Sequence, residues 1–177
     1  MPSLEDFDVS VFFDENLREV PNNPHEMALA LKHLITEFER LEPKGEERIK
    51  QLGQIGSYAR ILKQFEIAEA AINEALNLCK SNGDAPREVV NLIRLAHIYQ
   101  WQGQYSESNR LFSLLLERTR SELEAFYLED FVLQHTGKNY FEQQRYAEAL
   151  ELFERALEIR VAKGDESLIE STEVAIA

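Results

Sequence analysis

The chain has 177 residues, of which 44% are hydrophobic, so it is long enough to bury a core as one domain or as a short repeat array. Its 32 aspartates and glutamates outnumber 19 lysines and arginines, and the net charge of −13 disfavours nucleic acid and anionic membranes as partners. No apolar run approaches the roughly 20 residues that span a bilayer, and the start MPSLEDFDVS is too acidic for a secretion signal. We therefore expect a cytoplasmic protein, with the single Cys79 as a small buried hydrophobe.

Residues 1–22 form an acidic and aromatic segment that fits the repeat pattern of the rest of the chain poorly. The stretch LEDFDVSVFFDENL places carboxylates between phenylalanines and valines. One interpretation is an extra capping helix that begins at about Ser3. Such a helix would pack Leu4, Phe7 and Val11 against the helix that follows.

A helix is predicted within residues 23–42, because NNPHEM supplies a capping asparagine and a proline for the first turn. After it, QFEIAEAAINEAL, QYSESNRLFSLLL and RYAEALELFERAL share one pattern, and their aromatic anchors Phe65, Tyr105 and Tyr146 lie 40 and 41 residues apart. A small residue follows each anchor after three positions and an apolar residue after seven, which places them on one helix face. A second helical stripe precedes each anchor, so each repeat is predicted to be two helices with small residues between them.

Turn signals divide the repeats. KSNGD and VAKGD place Gly83 and Gly164 just past a helix, and the aspartate after each can cap the next helix. In the middle repeat Leu123 replaces the glycine, and a capping box from Ser121 to Glu124 is expected to divide the helices instead. The predicted repeats cover residues 43–84, 85–121 and 122–164, between a capping helix at 23–42 and a capping helix or the start of a further repeat at 165–177.

The C-terminal segment DESLIESTEVAIA is predicted to begin another helix. Leu168, Val174 and Ile176 are its expected buried stripe. A stripe that is left partly bare should cause weak self-association through this helix.

The repeats resemble those of the tetratricopeptide repeat family. QIGSYARILKQFEIAEAAINEAL, RLAHIYQWQGQYSESNRLFSLLL and HTGKNYFEQQRYAEALELFERALEIR each carry most of its glycine, alanine and aromatic positions. Their period near 40 is similar to that of kinesin light chains and many bacterial members. The resemblance implies an all-α, right-handed α-solenoid of antiparallel helix pairs, with three repeats and capping helices. It also implies a non-enzymatic adaptor or scaffold that binds other proteins and uses no cofactor.

In this family the first helix of each repeat lines a concave groove. Here the predicted groove positions carry four cations and one carboxylate, although the chain as a whole has a net charge of −13. Trp101, Phe131 and Phe141 add aromatic rings, and Arg94 and Lys138 are expected on the solvated surface. Such a groove is predicted to bind a protein or peptide with acidic and aromatic residues. The candidate binding residues are Arg60, Arg94, His97, Trp101, Phe131, His135 and Lys138.

Other functions have weaker support in the sequence. Only the basic character of Arg94 fits the clamp with which some family members hold a C-terminal carboxylate. No nucleotide-binding, metalloprotease or serine-hydrolase motif is present, so an enzyme is not expected. His97 and His135 can face each other but lack a third ligand, which disfavours a metal site. The alternative function is that of a secretion-type chaperone for a hydrophobic client, although the repeats of such chaperones are shorter.

The N-terminal segment suggests a further hypothesis, because its composition is what the groove is expected to bind. Asp6, Asp8 and Asp14 would supply carboxylates for the cations of the groove, and the phenylalanines would supply rings. Residues 4–17 would then fold back into the groove and compete with a partner, favoured by their high effective concentration. The capping helix described above is the alternative.

Overall fold

Within residues 3–121 and 126–177, which the computed structural model describes, eight α-helices follow a short β-hairpin. The hairpin consists of β1 (Val11–Phe13) and β2 (Glu19–Pro21). The helices are α1 (Pro24–Leu41), α2 (Gly45–Ile61), α3 (Phe65–Asn82), α4 (Ala85–Trp101), α5 (Tyr105–Ser121), α6 (Glu129–Glu142), α7 (Tyr146–Lys163) and α8 (Glu166–Ile176).

Three helix pairs form the body of the protein. They are α2 with α3, α4 with α5 and α6 with α7, and each pair packs on the next. The helix α4 also contacts α2 and α6, and these three helices form what we call the inner layer, while α1 packs on α2 and α8 on α7. This arrangement confirms the predicted all-α solenoid of helix pairs. The hairpin is an addition that the repeat pattern did not predict.

Glycines allow the helices of a pair to approach closely. A methyl group at Gly56 would lie 2.4 Å from the Cδ1 atom of Ile72, and one at Gly137 would lie 2.5 Å from the Cε1 atom of Phe153. Both distances are far below van der Waals contact, so a larger residue would force the helices apart. Ile72 and Phe153 are fully buried as a result of this contact, which explains the glycine in the first helix of two repeats.

Capping side chains begin three of the helices at the predicted positions. Asn23, Asp84 and Asp165 each accept a hydrogen bond from the backbone N–H three residues further on. The glycines directly before the two aspartates have φ angles of +66° and +74°, which end the preceding helices. The capping box predicted in the middle repeat, with Leu123 and Glu124, lies outside the described residues.

A buried ion pair holds α8 against the rest of the protein. Arg160, only 2% exposed, donates from Nε to Oδ2 of Asp130 at 3.0 Å. Its Nη1 donates to the carbonyl oxygen of Leu168 at 3.1 Å and to the hydroxyl oxygen of Thr172 at 2.6 Å.

The prediction that Val174 is buried is wrong, since it is 62% exposed. It lies six residues after Leu168 and therefore points to the opposite side of the helix. Self-association through α8 stays a prediction.

The first described residues contact α1 without forming a capping helix. Leu4–Asp6 form one 3-10 turn, Leu4 packs on the core, and the ring of Phe7 lies 5.9 Å from that of His33. Val11 enters β1 instead of a helix. Four of the five residues from position 9 to 13 are β-branched or aromatic and favour a strand, which is why the helix expected from Ser3 to Val11 does not form.

The hairpin turn is closed by Asp14. Its Oδ1 accepts hydrogen bonds from the backbone N–H groups of Asn16 and Arg18, both at 2.9 Å. Leu17 adopts a φ of +59° to complete the turn. Glu19 then begins β2 opposite Phe13, with Arg18 directly before it.

Candidate partner-binding face

The hairpin lies across the C-terminal ends of the inner-layer helices. Arg60, Trp101 and Glu142 occupy the ends of α2, α4 and α6, and each contacts Arg18 or Glu19. We call this part of the inner face the covered half. The part nearer the N-terminal ends of the same helices is the open half.

The first anchor of the hairpin is a two-point ion pair between Glu19 and Arg60. Nη1 and Nη2 of Arg60 donate to the two carboxylate oxygens at 3.0 and 3.1 Å. Burial is the largest influence on Glu19 and opposes its ionisation. The charge and hydrogen bonds of Arg60 outweigh burial and hold the pKa of Glu19 well below its ordinary value of 4.5. The pair is therefore fully charged at neutral pH, although the Arg60 side chain is 7% exposed.

The second anchor joins Arg18 to Glu142. Nε of Arg18 donates to Oε2 of Glu142 at 2.9 Å, and Nη2 donates to Oε1. The amide of Gln100 donates to Oε2 at 2.8 Å and the hydroxyl of Tyr105 donates to Oε1 at 2.9 Å. The Glu142 carboxylate, 6% exposed, thus accepts four hydrogen bonds and links the hairpin to three helices.

Aromatic rings cover the cations of this half. The Cζ atoms of Arg60 and Arg18 lie 4.3 and 5.2 Å from the ring centroid of Trp101, which is 8% exposed. Nζ of Lys138 lies 4.1 Å from the ring centroid of Phe13. Burial lowers the pKa of Lys138 below its ordinary value. These contacts have the distances of cation–π interactions, which stabilise the hairpin on the face.

A chain of hydrogen bonds runs from the covered half into the open half. Since Gln100 donates its amide N–H to Glu142, its Oε1 faces Nδ1 of His97 at 2.8 Å, so that nitrogen carries the proton. Nε2 of His97 then accepts from Nδ1 of His135 at 2.8 Å. Burial, followed by the charge of Arg60, lowers the pKa of His97 to about 3. Burial also lowers the pKa of His135 well below 6.5, so both rings are neutral at pH 7.

The open half contains a cavity of about 280 Å³ beside the hairpin. A second cavity of about 200 Å³ shares Val90 and Arg94 with it and is bordered by Lys50 and Arg87. A few polar groups in an apolar wall are typical of binding pockets. The polar groups of the larger cavity belong to Glu19, Ser57, Arg60, Arg94, His97 and His135. Its apolar wall consists of Val90, Ile93, Leu128 and Phe131.

Arg94 lies between the two cavities and has no acidic partner among the described residues. Its Nη1 donates to Oδ1 of Asn91 at 3.0 Å, and Asn91 is fixed by its own hydrogen bond to the carbonyl oxygen of Arg87 at 2.9 Å. A methyl group at Gly53 would lie 2.3 Å from Nη1, so the glycine leaves space for the guanidinium. In residues 3–121 and 126–177, no carboxylate forms an ion pair with Arg94 or Lys138. Burial, and then a neighbouring arginine, lowers the pKa of Arg94.

Positive charge is therefore in excess on the inner face. Within the part of the chain that the structure describes, two of its cations are paired with carboxylates and two are not, while the whole chain has a net charge of −13. Partly buried charges without a counter-charge are costly, and an anionic ligand would lower that cost. The cations are Arg18, Arg60, Arg94 and Lys138, and the carboxylates are Glu19 and Glu142.

The structure brings the seven predicted binding residues to one face, in two groups. Five of them line the larger cavity, namely Arg60, Arg94, His97, Phe131 and His135. Trp101 and Lys138 lie beneath the hairpin instead. The prediction that Lys138 is solvated is wrong, because the hairpin leaves it 8% exposed.

Phe141 does not line the cavity. Its ring packs against Tyr146 of α7, with 5.2 Å between centroids, and borders a space formed with Ala175 and Ile176 of α8. As the second-last residue of α6, it lies against the partner helix α7 and the terminal helix α8. The prediction that it belongs to the binding face is therefore corrected.

The carboxylates that pair with the cations of the inner face are not the ones that the sequence predicted. Asp6, Asp8 and Asp14 accept hydrogen bonds from backbone N–H groups two to four residues away. Such local bonds stabilise turns and leave these carboxylates unavailable for the groove. Glu19 pairs with Arg60 instead, and Arg18 was missed altogether. The sequence signal that could have found them is the run of β-branched and aromatic residues directly before the polar turn DENL.

The layered helix pairs define a helical-repeat protein whose inner layer contains two cavities. The family model of the tetratricopeptide repeat matches residues 88–161, from α4 to α7, so this part of the chain is similar to that family. The pair α2 and α3 lies before the matched range and has the same close glycine contact, at Gly56. Tetratricopeptide repeats mediate protein–protein interactions and are not catalytic in themselves.

Three further observations bear on function. A search of curated proteins found no significant match to the chain. No helix in the described ranges has the length and apolar character needed to cross a membrane. Those ranges also hold no group of three or more His, Cys, Asp and Glu side chains that could bind a metal ion. His97 and His135 bond to each other across the inner layer.

Proposed function

We propose that the protein is an interaction module whose inner face binds a partner segment that contains acidic and aromatic residues. The observation that supports this most is the excess of positive charge on one face of an acidic chain. Carboxylates of a partner would pair with the cations, and aromatic side chains would pack in the apolar part of the cavity. A role as a cytoplasmic adaptor or scaffold is part of the proposal.

The hairpin is proposed to be an internal competitor for this face. It already supplies an acidic group to Arg60, through Glu19, and an aromatic ring to Lys138, through Phe13. Because it is tethered, it binds at a high effective concentration. A partner carboxylate gains access to Arg60 only when Glu19 leaves it.

A selection from a random peptide library tests this function with the full chain as bait. We expect the enriched peptides to be acidic and to contain aromatic residues. We also expect them to bind the Glu19→Gln variant several-fold more tightly, because Arg60 is then released from its internal partner. Glu15→Gln, which changes an exposed carboxylate in the hairpin turn, is the matched control and should leave affinity unchanged. Enrichment of neutral or basic peptides, or no enrichment, would contradict the proposal.

The alternative of a secretion-type chaperone stays a prediction, and the same selection separates it from the proposal. A chaperone for a hydrophobic client should enrich apolar peptides without acidic residues. Their affinity should not respond to the loss of charge at Glu19.

A further inference from the structure

We propose that the larger cavity is a subsite for one carboxylate side chain of the partner segment, and that Arg94 binds it. This inference rests on the proposed function and adds a position and a ligand chemistry to it. It applies to an acidic residue within a segment and requires no free C-terminus.

The surroundings of Arg94 leave its guanidinium available for such a ligand. Asn91 takes one hydrogen bond from Nη1, and the space above Gly53 admits the group. Nε and Nη2 have no acceptor among the described residues. A carboxylate needs two such neighbouring donors for a two-point ion pair, so the orientation set by Asn91 prepares Arg94 for one.

The charges around the cavity indicate one carboxylate. Arg60 is already neutralised by Glu19, and His97 and His135 are neutral because burial lowers the pKa of both rings. Arg94 therefore contributes one positive charge that has no counterpart in the described residues. A single acidic side chain restores neutrality, whereas a second one would meet Glu19 at the edge of the cavity.

The size and walls of the cavity indicate the kind of segment. Its volume of about 280 Å³ lies below the roughly 300 to 1,000 Å³ of pockets for drug-sized ligands, so it suits one or two side chains. Ile93 and Phe131 provide apolar surface for a residue next to the carboxylate. The smaller cavity on the other side of Arg94, with Lys50 at its edge, lets the chain continue past the site. An extended internal segment fits both cavities.

A double-mutant cycle tests the assignment. The probe is an acidic peptide from the library selection, synthesised with an acetylated N-terminus and an amidated C-terminus, and binding to the full chain is measured by calorimetry. We expect Arg94→Gln to weaken binding about tenfold or more, as does replacement of one glutamate or aspartate of the peptide by its amide. When both changes are combined, the second should add less than about twofold, since the two groups bind each other.

Two further variants keep the test specific. Gly53→Ala adds a methyl group against Nη1 without changing charge, and we expect it to weaken binding of the acidic peptide and not of its amide form. Arg110→Gln removes an arginine from the exposed side of α5 and should leave affinity unchanged. Melting curves identify any variant that does not fold, in which case Gly53→Ala and Arg94→Lys carry the test.

The possible failures are distinguishable. If acidic peptides bind but Arg94→Gln changes affinity less than about twofold, the subsite is overturned and the proposed function survives. The same holds if the effects of the two changes are additive. If the library yields no acidic peptide, the proposed function itself fails, and the subsite with it.

Discussion

The two halves of the inner face use the same kinds of side chain in different ways. In the covered half, Arg60 and Arg18 each form a two-point ion pair with a carboxylate and contact the ring of Trp101. In the open half, Arg94 bonds to the amide oxygen of Asn91 and to no carboxylate in residues 3–121 and 126–177. Both halves belong to the same helices, so the difference is made by the hairpin. In the covered half the paired charges hold the hairpin on the helices, and in the open half Arg94 is the residue that we propose binds a ligand.

The largest effect should come from breaking the second anchor of the covered half. Glu142→Ala removes the acceptor of four hydrogen bonds and leaves Arg18 and Gln100 without their partner. We expect a loss of about 3 kcal/mol in the free energy of unfolding, measured by urea denaturation. This is the lower end of the range for buried pairs, because Arg18 keeps 25% of its side-chain exposure.

The matched control for that variant is Glu148→Ala. Glu148 also pairs with an arginine, Arg145, but both side chains are exposed. Water replaces such a pair almost completely, so stability should hardly change. If both variants lost the same free energy of unfolding, the Arg18–Glu142 pair of the covered half would be no stronger than an exposed surface pair.

The next largest effect is expected from the first anchor, with a defined dependence on pH. Glu19→Gln should lower the free energy of unfolding by about 2 kcal/mol at pH 7, because a charged hydrogen-bonded pair is lost. The pKa of Glu19 is lower in the folded protein than in the unfolded chain, so its contribution is present above the unfolded pKa of about 4.5. It is lost as the pH falls through the folded value.

Denaturation of the wild type and the Glu19→Gln variant at several pH values measures this contribution. The difference between them should shrink as the pH falls from about 5 toward 2. Glu15→Gln, in the same turn, should show no such difference. A gap between wild type and Glu19→Gln that stays constant with pH would mean that the Arg60 pair does not stabilise the fold through its charge.

The smallest effect on stability should come from the open half. Arg94→Gln removes a cation that has no acidic partner in the described residues, so we expect stability to stay within about 0.5 kcal/mol of the wild type. The same variant should lose affinity for acidic peptides. A stability loss comparable to that of Glu19→Gln would erase the distinction between the two halves.

The repeat architecture was accessible from the sequence because its signals are local and periodic. The anchors Phe65, Tyr105 and Tyr146 each begin a helix, and Gly56 and Gly137 lie at the predicted close contacts. Such positions are fixed by helical geometry, so a single sequence is enough to find them.

The hairpin and its ion pairs were less accessible, since nothing local specifies them. Arg18 and Glu142 are 124 residues apart, and Glu19 and Arg60 are 41 apart. The general idea that the N-terminal segment returns to the groove came from charge and composition. Charge and composition could not identify which carboxylate pairs with a groove cation. Short-range hydrogen bonds of Asp14 and its neighbours compete with long-range pairing, and composition does not reveal them.

The place of Trp101 beneath the hairpin also gives the protein an intrinsic optical reporter. It is the single tryptophan of the chain, and two guanidinium groups lie against its ring. Indole emission responds to nearby charge and to water, so departure of the hairpin would change both the wavelength and the intensity of the fluorescence. A ligand that enters only beside Arg94 would leave the signal unchanged. Stopped-flow fluorescence of the unlabelled chain can thus time the movement of the hairpin separately from the filling of the cavity.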